Sequence, residues 1–97
     1  GLVYINNNFS CTHGEIDLIM KHREALVFVE VRTRKNPDYA SAVESITPSK
    51  QGKLIKTALY YLQQHDLMDK IDCRFDVIGQ DQGQKFYWIQ NALEVQY

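Results

Sequence analysis

The amino-acid sequence predicts one α+β or α/β domain built on a mixed, mainly antiparallel central sheet. Two observations lead to this prediction. Five short runs are rich in β-branched and aromatic residues, some with apolar and polar side chains in alternation. One longer segment, after the third run, instead repeats its apolar residues at helical spacing. The order of three strands, a helix and two strands is typical of a layered fold in which helices flank the sheet.

The first three strands precede the predicted helix. We expect a short strand from Val3 to Ile5, followed by a polar turn over residues 6–9. The third strand, from Ala25 to Thr33, is apolar on both faces, which predicts a central strand covered on both sides except at the functional pocket. The second strand is expected from Glu15 to Lys21, with Ile16, Leu18 and Met20 on one face and Glu15, Asp17 and Lys21 on the other.

The predicted helix begins at Pro48, because Thr47 is a favourable N-cap residue and proline suits the first helical position. It is expected to run to about residue 64 or 65, with Leu54, Ile55, Ala58, Leu59 and Leu62 on its apolar face. Two further strands, at residues 74–79 and 85–89, are joined by a turn that contains glycine.

The composition fits a globular protein with one core. The 97 residues are 44% hydrophobic and 24% charged, which argues against a disordered chain. No apolar run approaches the roughly 20 residues of a membrane span, and no segment resembles a signal peptide. Neither Cys11 nor Cys73 belongs to a CxxC pair, so two reduced thiols are the simpler interpretation. We therefore expect residues 1–97 to form a single cytoplasmic domain.

Charge is distributed unevenly along the chain. The net charge is −1, but the segment from Arg32 to Thr57 has six cations against two anions. The segment from Asp66 to Asp81 has five aspartates against two cations. A chain of this kind can offer a basic surface to phosphates while it stays near neutral overall. Charge alone is explained equally well by two solvated faces of opposite sign.

Carboxylates within two of the predicted strands suggest a metal site. Side chains alternate along a strand, so Glu15 and Asp17 share one face, and Glu30 and Arg32 share one face. If the two strands form a hairpin, Asp17 and Glu30 converge on one divalent cation, with Arg32 beside it. Mg²⁺ typically takes one or two protein carboxylates plus waters and a substrate phosphate. Glu15 would add a further ligand or an outer contact.

Cross-strand ion pairs are a simpler explanation for these charged residues than a metal site. Asp17 and Glu30 can pair with cations across the sheet, such as Lys21, Arg32 or Arg34. The spacing alone favours these ion pairs over a metal site. Asp76 can be interpreted as an outer contact of the metal or as a structural partner of Arg74 or of a helix lysine, and the structural role is favoured.

The motifs resemble those of a known family. Asp17 followed by Glu30-Val31-Arg32 resembles the PD-(D/E)xK nuclease signature. The whole chain resembles the uncharacterised YraN family of small bacterial proteins, on residues 14–19, 28–34, 46–50, 74–77 and 88–92. This resemblance implies a restriction-endonuclease-like core related to Holliday-junction resolvases. It also implies a nuclease dependent on Mg²⁺ or Mn²⁺ that cleaves DNA, branched or single-stranded, in repair or recombination.

The resemblance also implies roles for individual residues. Asp17, Glu30 and Arg32 would form the catalytic set, with Asp17, Glu30 and Glu15 at the metal. The family's N-terminal helix, which carries a glutamate, is expected to be missing from this chain. Arg32 stands where the general signature has lysine. Arginine stays protonated at physiological pH, so this side chain would hold the phosphate rather than act as a general base.

DNA is the expected partner. Lys50 and Lys53 lie on the exposed side of the first helical turns, where a helix N-terminus also favours phosphate. Together with Arg34 they are the predicted nucleic-acid contacts. A homodimer would suit a junction with two-fold symmetry. Two alternatives remain on the same fold: a nucleic-acid-binding module without turnover, and a module that docks an acidic protein.

Overall fold

A computed structural model describes residues 2–33, 46–80 and 86–93. These residues form five strands and one helix in the predicted order. The elements are β1 (Val3–Cys11), β2 (Gly14–His22), β3 (Ala25–Thr33), α1 (Pro48–Gln64), β4 (Asp72–Gln80) and β5 (Phe86–Leu93).

The five strands lie side by side in sequence order in one sheet. β3 and β4 pair in parallel, from Ala25 with Asp72 to Thr33 with Gln80. The other three pairings are antiparallel. α1 belongs to the long connection that a parallel pair requires. The expected mixed and mainly antiparallel sheet is thereby confirmed.

The main core lies between α1 and one face of the sheet. Phe28 stands at its centre, with its ring centroid 5.3 Å from that of Phe75 and 6.0 Å from that of Tyr61 on α1. Leu26 to Val29 are all buried, although their side chains alternate between the two faces of the sheet. The prediction that β3 is a central strand covered on both sides is therefore confirmed.

The N-cap of α1 is also as predicted, because the Thr47 side chain accepts a hydrogen bond from the main-chain N–H of Lys50 at 3.3 Å. The helix ends at Gln64, and His65 follows as its C-terminal cap. In the described residues, no helix combines the length and the apolar character that crossing a bilayer requires.

The polar turn expected at residues 6–9 is wrong. β1 continues through this segment, with Asn7 opposite Leu18 and Phe9 opposite Ile16, and the turn falls at residues 12–13. β1 is an edge strand, so among the described strands only β2 pairs with its backbone, and the side chains of Asn7 and Asn8 remain in solvent. Edge position thus overrides the low β-propensity of asparagine.

The predicted faces of β2 are only partly right, because Leu18 and Met20 share a face as expected but Ile16 does not join them. Ile16 and Ile19 are both buried in the core, whereas Leu18 and Met20 are only half-buried. Ile16 lies opposite Phe9 and Ile19 lies opposite Phe28, and both of these rings pack against α1. Two residues three positions apart face the same side only if the alternation breaks between them. The break falls at Asp17 and Leu18.

Candidate functional site

Asp17 occupies the irregular point of β2. Main-chain pairing with β3 runs from His22 and Ala25 to Leu18 and Val29. One step further along, a carboxylate oxygen of Asp17 accepts a hydrogen bond from the main-chain N–H of Val31 at 2.9 Å. The side chain therefore serves as the acceptor for a backbone donor of β3. This contact fixes the carboxylate between the two strands.

Glu30 lies next to Asp17 and is largely enclosed, with 14% of its side chain exposed. Burial, followed by a hydrogen bond with Asp17 and the negative charge of Asp17, raises the pKa of Glu30 to about 7. Arg32 lowers this pKa and Glu15 raises it slightly. The two adjacent strands thus hold a pair of carboxyl groups that do not readily carry two negative charges together.

Arg32 forms an ion pair with Glu30, with 3.0 Å between Nη2 and a carboxylate oxygen. The simpler alternative of a salt bridge is therefore partly realised. The Nε atom of Arg32 is buried and has no hydrogen-bond partner among the described residues. A buried donor without a partner costs about 1–3 kcal/mol, so an oxyanion placed at Nε would be favourable.

An open cleft of about 270 Å³ brings most of the predicted site residues together. It is lined by Gly14, Glu15, Glu30, Arg32, Lys50, Lys53 and Leu54. Asp17 contacts Glu30 but does not line the cleft. Arg34, the remaining predicted residue, lies outside the described residues.

The carboxylate pair fits the minimum that a hard divalent cation needs. Asp17 and Glu30 offer two carboxylates from adjacent strands, which matches the one or two that Mg²⁺ takes in nucleotide-processing sites. No group of three or more His, Cys, Asp or Glu in residues 2–33, 46–80 and 86–93 is arranged to hold a metal. Any metal here would complete its coordination with waters and substrate oxygens.

Gly14 sets how closely α1 approaches the cleft. Its φ of +154° favours glycine, and a Cβ atom there would lie 3.2 Å from Oγ1 of Thr57 and 3.5 Å from Cβ of Lys53. Thr57 is fully buried and donates a hydrogen bond to the carbonyl of Lys53 at 2.7 Å. The glycine thereby positions Lys53 over the cleft.

A second polar cluster lies on the face of the sheet that points away from α1. Asp76 is 1% exposed and accepts hydrogen bonds from Arg74 Nε at 3.0 Å, Trp88 Nε1 at 2.8 Å and the main-chain N–H of Asn91 at 2.9 Å. Arg74 also contacts Nδ1 of His22 at 3.1 Å. Asp76 is thus a structural partner of Arg74, and sequence reasoning missed the roles of Trp88 and Asn91. A buried strand aspartate flanked by Phe and Val was the available signal.

Sequence comparisons agree with the expected family. The family described as "Uncharacterised protein family UPF0102" matches residues 1–79. A UPF0102 protein of Coxiella burnetii (strain RSA 331 / Henzerling II) is 53% identical over 97 residues, which are 100% of this chain and 81% of that protein. A UPF0102 protein of Vibrio parahaemolyticus is 49% identical over 94 residues, 96% of this chain and 78% of that protein. A third, from Alkalilimnicola ehrlichii, is 48% identical over 93 residues, 96% of this chain and 73% of that protein. The chain, as its likeness to YraN proteins predicts, belongs to the UPF0102 family.

Proposed function

We propose that this protein is a metal-dependent nuclease that hydrolyses phosphodiester bonds of branched or single-stranded DNA in repair or recombination. One observation carries the proposal. Asp17 and Glu30 lie side by side on adjacent strands, and Arg32, Lys50 and Lys53 surround the adjoining cleft. Paired carboxylates next to a cluster of cations suit a site that binds a divalent ion and a phosphate together.

Asp17 and Glu30 would hold Mg²⁺ or Mn²⁺, and Glu15 at the cleft wall would contribute an outer contact. The ion would neutralise charge on the scissile phosphate and lower the pKa of the attacking water. The contact with the Val31 N–H keeps the Asp17 carboxylate oriented without an ordering cost at the moment of binding.

The cations of the cleft would bind the phosphate. Arg32 has a free Nε donor beside its ion pair with Glu30, so it can contact a phosphate oxygen while its Nη2 stays with Glu30. It remains protonated and does not take the proton of the attacking water. Lys50 and Lys53, on the first turns of α1, would orient the DNA backbone on either side of the scissile bond.

Titration of Mn²⁺ into the protein tests the metal site. Isothermal calorimetry should detect a site that is lost in Asp17→Asn and in Glu30→Gln. Asparagine can still accept the Val31 N–H, so the first variant is expected to keep the fold. Glu24→Gln, in the exposed turn between β2 and β3, is the matched control and should bind Mn²⁺ as the wild type does. Equal titration curves for all four proteins would remove the proposed site.

Cleavage assays on junction, flap and single-stranded DNA then test turnover. A nuclease should cut at least one of these substrates with Mn²⁺ and none of them in excess EDTA, and the two carboxylate variants should be inactive. The Glu30–Arg32 ion pair favours a second candidate, a nucleic-acid-binding module without turnover. That candidate predicts salt-sensitive DNA binding with no cleavage.

A further inference from the structure

We propose that one flank of α1 is a track for single-stranded nucleic acid, in which Lys50, Lys53 and Lys56 contact the phosphates and Tyr60 stacks on an unpaired base. This inference rests on the proposed function, because the track begins at the cleft that would hold the scissile phosphate. It specifies the substrate as a strand whose bases are unpaired next to the cut.

The first observation is the charge of α1. The helix contains three lysines and no acidic residue, and two of the lysines lie in its first two turns. A cation in the first turn of a helix, such as Lys50, is unfavourable because it meets the positive end of the helix dipole. Stability alone therefore does not account for this placement. An anion bound beside Lys50 and Lys53 would turn the cost into a gain.

The second observation is that these cations are exposed and lie on one side of the helix. Lys50, Lys53, Lys56 and Tyr60 follow one another at spacings of three or four residues, so they form a continuous row. Among the described residues the three ion pairs are Arg32–Glu30, Lys70–Asp66 and Arg74–Asp76, and none includes a lysine of α1. Within residues 2–33, 46–80 and 86–93, no carboxylate neutralises this row of cations.

The third observation is the position of Tyr60. Its side chain is 42% exposed, and its ring centroid lies 6.3 Å from that of Phe9 on β1. Phe9 is held in turn by an edge-to-face contact with Tyr61 at 5.1 Å. One side of the Tyr60 ring is thus supported by the protein, while the rest of the ring is open. A supported, exposed ring is what base stacking needs.

The spacing of the row fits a nucleic-acid strand. Lys53 and Tyr60 are seven residues apart, which is about 10 Å along a helix axis. Stacked nucleotides of one strand are about 3.4 Å apart, so this span accommodates about three of them. A strand whose phosphate lies in the cleft can therefore place a nearby base on Tyr60. In a duplex the bases are already stacked inside the helix, so Tyr60 has no base face to contact.

Binding to a short, fluorescently labelled thymidine oligonucleotide, measured by anisotropy in EDTA, tests the track without cleavage. The Tyr60→Ala variant should bind it at least about five-fold more weakly than the wild type does. Tyr60→Phe should bind normally, because phenylalanine also stacks. Neither variant should change binding to a duplex of the same length. The matched control is Tyr4→Ala, because Tyr4 is also an exposed tyrosine but lies on β1, away from the row on α1.

The salt dependence separates the lysines from the tyrosine. Lys53→Gln should reduce the slope of log affinity against log salt by about 0.7 for the single strand. Tyr60→Ala should lower affinity at every salt concentration and leave the slope unchanged. Three results would overturn the inference: no binding by the wild type, wild-type affinity in Tyr60→Ala, or equal losses for single strand and duplex.

The proposed function and the track fail in different ways. Metal-dependent cleavage together with wild-type single-strand binding by Tyr60→Ala rejects the track and leaves the nuclease intact. Loss of single-strand affinity in Tyr60→Ala without any Mn²⁺ site supports the track and rejects the nuclease.

Discussion

The carboxylate of Asp17 accepts a hydrogen bond from the main-chain N–H of Val31 at 2.9 Å, where the pairing of β2 with β3 has ended. This contact gives a backbone donor of β3 a partner at the point where main-chain pairing with β2 stops. It also brings the Asp17 carboxylate against Glu30, whose pKa is raised to about 7. Local strand irregularity and site chemistry therefore have the same origin.

The raised pKa of Glu30 predicts that stability falls with rising pH. Burial and Asp17 raise it from its ordinary value of 4.5 to about 7, so the folded protein holds this proton more tightly than the unfolded chain does. The contribution is fully present below about pH 4.5 and is lost as pH rises through 7. The rise from 4.5 to about 7 corresponds to roughly 3 kcal/mol at about 1.4 kcal/mol per pKa unit. Because Glu30 borders an open cleft, solvent screening reduces the expected loss to on the order of 2 kcal/mol.

Urea unfolding in EDTA at pH 5 and pH 8 measures this effect. The charged groups that shift the pKa of Glu30 are Asp17, Arg32 and Glu15, and Lys50 and Lys53 line the same cleft. Glu30→Gln should remove most of the difference and should be the more stable protein at pH 8. Mn²⁺ should restore stability to the wild type at pH 8 but not to Glu30→Gln. Identical pH dependence in both proteins would assign the effect to other groups.

Arg32→Lys separates the charge at this position from the shape of the guanidinium. Lysine restores the residue type of the general nuclease signature and keeps a cation beside Glu30. We expect cleavage to be retained or increased. An abolished reaction would mean that the planar donor set of arginine, including its buried Nε, is itself required. Single-turnover cleavage with Mn²⁺ is the appropriate measurement, and the calorimetric Mn²⁺ titration shows whether the metal site is unchanged.

Gly14 and Gly52 form a matched pair for glycine-to-alanine substitution. A Cβ atom at Gly14 would lie 3.2 Å from Oγ1 of Thr57, in a backbone conformation with φ of +154°. Gly14→Ala should therefore destabilise the fold by about 1–2 kcal/mol and displace α1 from the cleft. Apart from its chain neighbours and the surrounding helix backbone, no described atom lies within 4 Å of a Cβ at Gly52, so Gly52→Ala should stabilise α1 by about 0.5–1 kcal/mol. Thermal unfolding of the two variants gives the comparison, and a shift of the same sign in both would contradict it.

Local signals were sufficient for most of the fold. Thr47 and Pro48 marked the start of α1 because capping depends on a few adjacent residues, and Ala25–Thr33 was bounded correctly because its propensity is strong. Asn6 to Asn8 were misplaced because edge position in a sheet depends on strands that are remote in sequence. Local propensity therefore cannot indicate whether a segment will be an edge strand.

The candidate site was predictable to the same degree. Alternation placed Glu30 and Arg32 on one face, and the structure shows them as an ion pair. The break in β2 at Asp17 was not predictable, because it requires the Val31 N–H of another strand as a partner. The cluster around Asp76 was missed for the same reason, since Asn91 reaches it through an irregularity in the pairing of β4 with β5.

Asp76 is predicted to be the most sensitive aspartate for stability among the described residues. Its two oxygens accept hydrogen bonds from Arg74, Trp88 and Asn91, and the residue is 1% exposed. Asparagine has one acceptor oxygen instead of two, so its NH₂ group would face groups that are themselves hydrogen-bond donors. It also carries no charge, so the charge of Arg74 would lose its buried partner. We expect Asp76→Asn to destabilise the protein by about 3 kcal/mol or more.

Asp66→Asn is the control for this substitution. Asp66 also pairs with a cation, Lys70, at 3.0 Å, but its side chain is 92% exposed. An exposed ion pair of this kind contributes little, so the unfolding midpoint should not change measurably. Trp88 is the only tryptophan of the chain and donates directly to Asp76, so its fluorescence reports both unfolding and the loss of the contact. Equal midpoints for the two variants would show that the buried network around Asp76 does not hold β4 and β5 together.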